Sequence, residues 1–190
     1  MYTPSSFDGD ARPAPSHLPP RVAYTCRILG VDTALRATGV GVVDVCGSRL
    51  SAVHYGTLRN PASRPLSACL LAIEEGLAEL LTAHRPEVVA VEGVFFAKFA
   101  RAALLLGHAR GVVIATCARL GVPVFEYEPR RVKQAVVGQG GAAKEQVQRM
   151  VQAMLQLPEL PPEDAADALA IAICHAQNRT RQIALGTAPL

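Results

Sequence analysis

The chain has 190 residues, 50% of them hydrophobic and 18% charged, with a formal net charge of +3 and no tryptophan. That length suits one domain with a core of its own, and so low a charge density argues against a disordered polyelectrolyte. The five cysteines (Cys26, Cys46, Cys69, Cys117 and Cys174) are scattered, with no CxxC or Cys/His cluster. This argues against a disulfide framework or zinc site and for reduced core residues in a cytoplasmic protein.

Residues 1–21 carry Pro4, Pro13, Pro15, Pro19 and Pro20 among serine, glycine and aspartate, and read as a disordered tail. They hold no apolar signal-peptide core, and no later apolar run reaches the length needed to span a bilayer, so no membrane association is expected. A folded domain is expected over 22–178. Segments near 24–32, 38–46 and 50–58 are short, valine- and glycine-rich, and predict three strands in an antiparallel meander. Leu66, Leu70, Ile73, Leu77 and Leu80 then recur at helical spacing, with Ser63 as the expected N-cap and Pro65 in the first turn. Pro86 breaks the chain before Val88–Val91, an apolar run suited to a buried parallel strand.

A nearly all-apolar helix is expected over 97–119, a strand over 122–127 and a short helix from Pro129 to Val137. Gly138, Gly140 and Gly141 form a loop, and helices follow over 144–155 and from Glu163 to about Gln177. Residues 179–190 read as a flexible tail. Short connections and right-handed crossovers arrange these elements as an α/β fold, a mixed five-stranded sheet of order 3-2-1-4-5 flanked by helices. Strands one and four are then parallel neighbours.

Four carboxylates interrupt this apolar pattern. Asp32 ends Ile28-Leu29-Gly30-Val31, Glu92 ends Val88-Val89-Ala90-Val91, and Asp164 and Asp167 stand in the first turns of the last helix. Singly, each has an ordinary reading as a strand-end or helix N-terminal acid. Jointly they converge, because the sheet order places Asp32 beside Glu92 and the i, i+3 spacing puts Asp164 and Asp167 on one helical face. Buried carboxylates pair or bind cations. Acids without histidine or cysteine partners select Mg²⁺ or Mn²⁺, and two such ions in one site suit phosphodiester hydrolysis. The stretch from Lys98 to Arg149 holds nine basic residues against Glu126, Glu128 and Glu145. That surplus is either a solvated face or a surface that follows phosphates.

Ile28-Leu29-Gly30-Val31-Asp32, with Arg36 and Thr38-Gly39-Val40-Gly41, resembles the first motif of the RuvC family of Holliday-junction resolvases. The likeness continues through Val91-Glu92-Gly93-Val94-Phe95-Phe96-Ala97-Lys98 and Leu106-Gly107-His108-Ala109-Arg110-Gly111. It extends over Pro123–Tyr127, Val132–Gly138 and Asp164–Ala172, covering residues 27–178 in the family's order. The resemblance implies an RNase H-like nuclease domain that resolves four-way DNA junctions by paired, metal-dependent cuts. It assigns metal binding to Asp32, Glu92, Asp164 and Asp167, with Lys133 and Lys144 near the cleaved strand and Lys144 neutralising charge at the phosphate. Phe95 is implied to stack on opened bases, with Phe96 and Phe99 as weaker candidates and Lys98 as a DNA contact. A homodimer through helix 97–119 is implied, with Ala102, Ala103, Leu106, Ala109, Val112 and Val113 as its surface. A RuvA–RuvB branch-migration complex is the implied partner. Thr33-Ala34 depart from the family's usual Pro-Gly, which leaves the geometry of that loop open.

Two other readings fit less well. An actin-like ATPase also ends its first strand in aspartate, but its two lobes exceed this length. A non-catalytic DNA-binding module would not retain four acids beside phosphates. His175, two turns beyond Asp167, is expected to be a packed or surface residue.

Overall fold

The computed structural model describes residues 25–93, 100–185 and 188–190. Its elements run β1 (Thr25–Asp32), β2 (Ala37–Cys46), β3 (Arg49–Arg59), α1 (Leu66–His84) and β4 (Val88–Glu92). They continue as α2 (Ala100–Arg119), β5 (Val124–Tyr127), α3 (Pro129–Val137), α4 (Lys144–Leu155) and α5 (Glu163–Leu185). The five strands form one sheet of order β3-β2-β1-β4-β5, as expected. β1, β2 and β3 are antiparallel neighbours, whereas β4 runs parallel to both β1 and β5.

Strand alternation splits the core in two. Leu29, Val31, Val89, Val91 and Val124 face the side covered by α1 and α2. Ile28, Val88, Ala90 and Tyr127 face α3, α4 and α5. Asp32 and Glu92 continue the second alternation, so both carboxylates leave the sheet toward α5.

α5 lies unusually close to the sheet because glycines leave it no side chains to ride on. A Cβ on Gly30 would stand 2.0 Å from the Ala168 carbonyl oxygen, and one on Gly39 1.9 Å from that of Asp164. Gly30 pairs with Gly41, and Asp32 with Gly39. The helix answers with Ala165, Ala166, Ala168, Ala170 and Ala172, all buried. Backbone thus meets backbone at the end of the sheet that carries Asp32.

Several expectations are corrected. Ser63 is not the cap of α1: the helix starts at Leu66, and Pro65 occupies the cap position with no side-chain hydrogen bond. α5 continues to Leu185, so the expected tail from residue 179 is partly helix. α2 is long and apolar enough to cross a membrane by length and composition alone, contrary to expectation. One face of it lies in the core through Ala109, Val113, Thr116 and Cys117. Ala109 and Val113 are therefore unavailable as interface residues. Residues 1–24 fall outside the described residues. At the far edge of the sheet, the Leu190 N–H donates to the Val124 carbonyl at 2.9 Å.

Candidate active site

The parallel register that matches Val31 to Val91 places Asp32 and Glu92 side by side, one residue further on. α5 brings Asp167 over them, and together with Lys133 and Lys144 they line a cavity of about 260 Å³. Pro129, Val132, Val147 and Ala170 complete its wall. Three elements thus deliver the acids, while α3 and α4 deliver the lysines.

The acids disturb one another. Asp32 is pushed up to about 7, first by burial, then by Asp167, Glu92 and Asp164, with Lys144 opposing. Glu92 is raised by burial and by Asp167, against Lys133 and Lys144. Asp167 is raised by burial, with Lys144 opposing it and Glu163 and Asp164 adding to it. Two lysines do not neutralise this cluster, because each is partly engaged elsewhere. Lys133 Nζ donates to the Ala142 carbonyl at 3.1 Å. Lys144 Nζ lies 2.5 Å from Glu163 and 3.7 Å from Asp167, and its pKa is raised chiefly by the Glu163 hydrogen bond.

Lys144 is the first residue of α4, where the helix dipole disfavours a cation. Glu163 and Asp167 offset that cost. The helix start itself has half a capping box, the Ala143 N–H donating to Gln146 Oε1 at 3.1 Å.

Asp164 stands beside this cavity and is not among its lining residues. It forms an ion pair at 3.6 Å with Arg59, at the end of β3, a residue the sequence did not single out. An exposed arginine closing a strand leaves no pattern to read. Phe95, Phe96, Lys98 and Phe99 lie outside the described residues.

The loop after Asp32 is well tied despite Thr33-Ala34. Thr38 Oγ1 donates to the Ala34 carbonyl at 2.6 Å, and buried Asn60 donates to the Leu35 carbonyl at 3.0 Å. Arg36 serves this scaffold, donating to the Pro61 and Arg64 carbonyls. His175 is a packed residue, as expected. Its Nδ1 lies 2.9 Å from the Tyr127 hydroxyl, and burial lowers its pKa to about 4. A wider groove lined by Arg130, Arg131, Gln134, Gln177 and Asn178 contains none of the four acids.

The donors fit a hard divalent cation. They are carboxylates, mutually repelling and partly buried, and a cation would relieve all three at once. Among the described residues, however, no three acidic, histidine or cysteine side chains form a ready-made coordination group. Water or phosphate oxygens must supply further ligands, as Mg²⁺ ordinarily requires.

A mixed sheet of this order, with acids from β1, β4 and the final helix meeting at one end, defines an RNase H-like nuclease. The family described as crossover junction endodeoxyribonuclease RuvC matches residues 28–175. A RuvC of Halorhodospira halophila is 50% identical over 161 residues, 85% of this chain and 96% of that protein. One from a Geobacter species is 50% identical over 151 residues, covering 80% and 92%. The structure of T. thermophilus RuvC in complex with Holliday junction substrate superposes with a TM-score of 0.80 at 39% identity, covering 87% of this chain and 99% of that one. The yeast mitochondrial Holliday junction resolvase Ydc2, 12% identical with a TM-score of 0.63 and coverage of 87% and 83%, shares the fold. The chain belongs to the RuvC family, the crossover junction endodeoxyribonucleases, which are metal-dependent nucleases acting in recombination and repair.

Proposed function

We propose that Asp32, Glu92 and Asp167 hold Mg²⁺ or Mn²⁺, two ions per site, and that the cavity hydrolyses a phosphodiester at a four-way DNA junction. The observation that carries this reading is the convergence of three carboxylates and two lysines in one cavity. Asp164 joins them as a fourth ligand by moving off Arg59. Held by these residues, the ions would supply an activated water and stabilise the leaving oxygen. Asp32, Glu92 and Asp167 fix where the phosphate sits. Lys144 lies beside Asp167, where its ammonium stabilises charge developing on the phosphate. Lys133 holds the neighbouring backbone phosphate.

Family resemblance supports the remaining roles. Phe95 stacks on a base at the opened junction, with Phe96 and Lys98 beside the same strand. Two copies related by a two-fold axis make matched cuts, with the exposed part of α2 at their interface. The RuvA–RuvB branch-migration complex presents the junction in the cytoplasm.

Asp32→Asn and Asp167→Asn each slow cleavage of a synthetic four-way junction by more than about 100-fold while leaving junction affinity within about twofold. Gel cleavage and binding assays, titrated separately with Mg²⁺ and Mn²⁺, check this. Cleavage at the wild-type rate in either variant removes that residue from the site.

A further inference from the structure

The second, third and fourth sequence motifs contain residues to which the cleavage chemistry assigns no part: Gly93, Arg110 and Glu126. The structure brings them together. Arg110, on α2, donates through Nη1 to the Glu92 backbone carbonyl at 2.5 Å and through Nη2 to the Glu126 carboxylate. Its side chain is only 11% exposed, whereas that of Glu126 is 39% exposed. Glu126 lies on β5 opposite Val91, one residue before the Tyr127 that pairs with Glu92. A Cβ on Gly93 would stand 2.8 Å from Glu126 Oε1.

Strand alternation places this group on the reverse of the sheet. Val91 and Val124 face α1 and α2, whereas Tyr127 faces α5. The Glu126 side chain therefore leaves on the α2 side, and the Glu92 carboxylate leaves on the opposite side, into the acidic cavity. Arg110 grips from behind the strand end whose front carries the acid. A guanidinium suits this task, since its planar fork spans a carbonyl and a carboxylate with one rigid group.

We propose that Arg110 is a positioning residue: with Glu126 and Gly93 it forms a latch that fixes the end of β4 and so aims the Glu92 carboxylate at the cation. This deepens, and rests on, the proposed role of Glu92 in the cavity. Because Arg110 belongs to α2, the latch also ties the aim of Glu92 to the seating of that helix. The glycine leaves room for the Glu126 carboxylate, since a Cβ at position 93 would crowd its Oε1 and make that side chain shift.

The test measures Mn²⁺ binding by titration calorimetry, single-turnover junction cleavage and junction affinity on the full chain. Arg110→Ala is expected to weaken Mn²⁺ binding and to slow cleavage, each by about 10-fold or more, with junction affinity within about twofold of wild type. Arg110→Lys recovers part of both losses, because an ammonium still reaches the Glu92 carbonyl. Wild-type Mn²⁺ affinity in Arg110→Ala overturns the inference. So does a uniform loss of melting temperature, junction affinity and cleavage that Arg110→Lys does not relieve. If Arg110→Ala fails to fold, Glu126→Gln is judged by the same readouts. If the wild-type chain leaves four-way junctions uncut, the proposed function fails, and the Mn²⁺ titrations still decide the latch.

Discussion

Asp32 shows what gathering buried carboxylates costs a protein. Its carboxyl is pushed from 3.8 to about 7 by burial and by Asp167, Glu92 and Asp164. The folded chain therefore retains a proton that the unfolded chain has released. Such a group contributes stability that is complete below pH 3.8 and is lost as the pH rises through about 7. Above that, Asp32 is ionised in a cavity that disfavours it. Asp32→Asn is accordingly expected to raise the melting temperature in the absence of divalent cations by roughly 3–6 °C at pH 8, and by much less at pH 5. Mg²⁺ should stabilise the wild-type chain more at pH 8 than at pH 6, since below about 7 it must displace the Asp32 proton. Scanning calorimetry at pH 5, 6 and 8 checks both. The Arg59–Asp164 pair belongs to a different class: Arg59 is 70% exposed, and such surface pairs contribute little to stability.

At the scale of elements, the close seating of α5 on β1 and β2 carries the site. Glycine at positions 30 and 39 brings helix backbone to within contact of strand backbone. A methyl group there meets a carbonyl oxygen, which has no rotamer by which to move aside. Gly30→Ala and Gly39→Ala are each expected to destabilise the chain by about 2–4 kcal/mol and to lower cleavage by lifting Asp167 away from Asp32. Gly56→Ala, where the added methyl meets nothing within 4 Å, serves as the control and should change little. Chemical denaturation and junction cleavage measure the contrast.

This seating was not legible in the sequence, although its consequences were. A carboxylate at the end of an apolar run is a loud signal, so Asp32, Glu92 and Asp167 could be found one by one, and short connections then supplied the strand order. Glycine is silent by comparison, because the same residue marks a turn, a bulge or a close approach. Arg110 was hidden for another reason: one of its acceptors is a backbone carbonyl 18 residues away, which no residue pattern records. Ser63 misled because a good capping side chain stood near the helix start, while Pro65 set the actual boundary. The end of α5 was missed because Gln177, Asn178 and Arg179 look like tail residues once the apolar stretch has ended.

For the whole molecule, α2 divides its residues between two tasks. Ala109, Val113 and Cys117 close the core. Leu104, 64% exposed, is available on the outer side together with exposed Gly107 one turn further on. If this face joins two copies, Leu104→Glu should leave the fold intact and shift the chain to monomer. It should also replace matched cuts with single nicks. Light scattering coupled to size-exclusion chromatography reads the first outcome, and nicked-intermediate analysis on a cruciform plasmid reads the second. The β5 edge of the sheet presents a different surface. Outward-facing backbone groups on a terminal strand are templates for a neighbour's strand. At β5 the Val124 carbonyl is already occupied by the Leu190 N–H. A foreign strand must therefore displace a tethered competitor whose local concentration far exceeds its own. Two copies that meet at β5 must give up the Leu190–Val124 hydrogen bond before their edges can pair there.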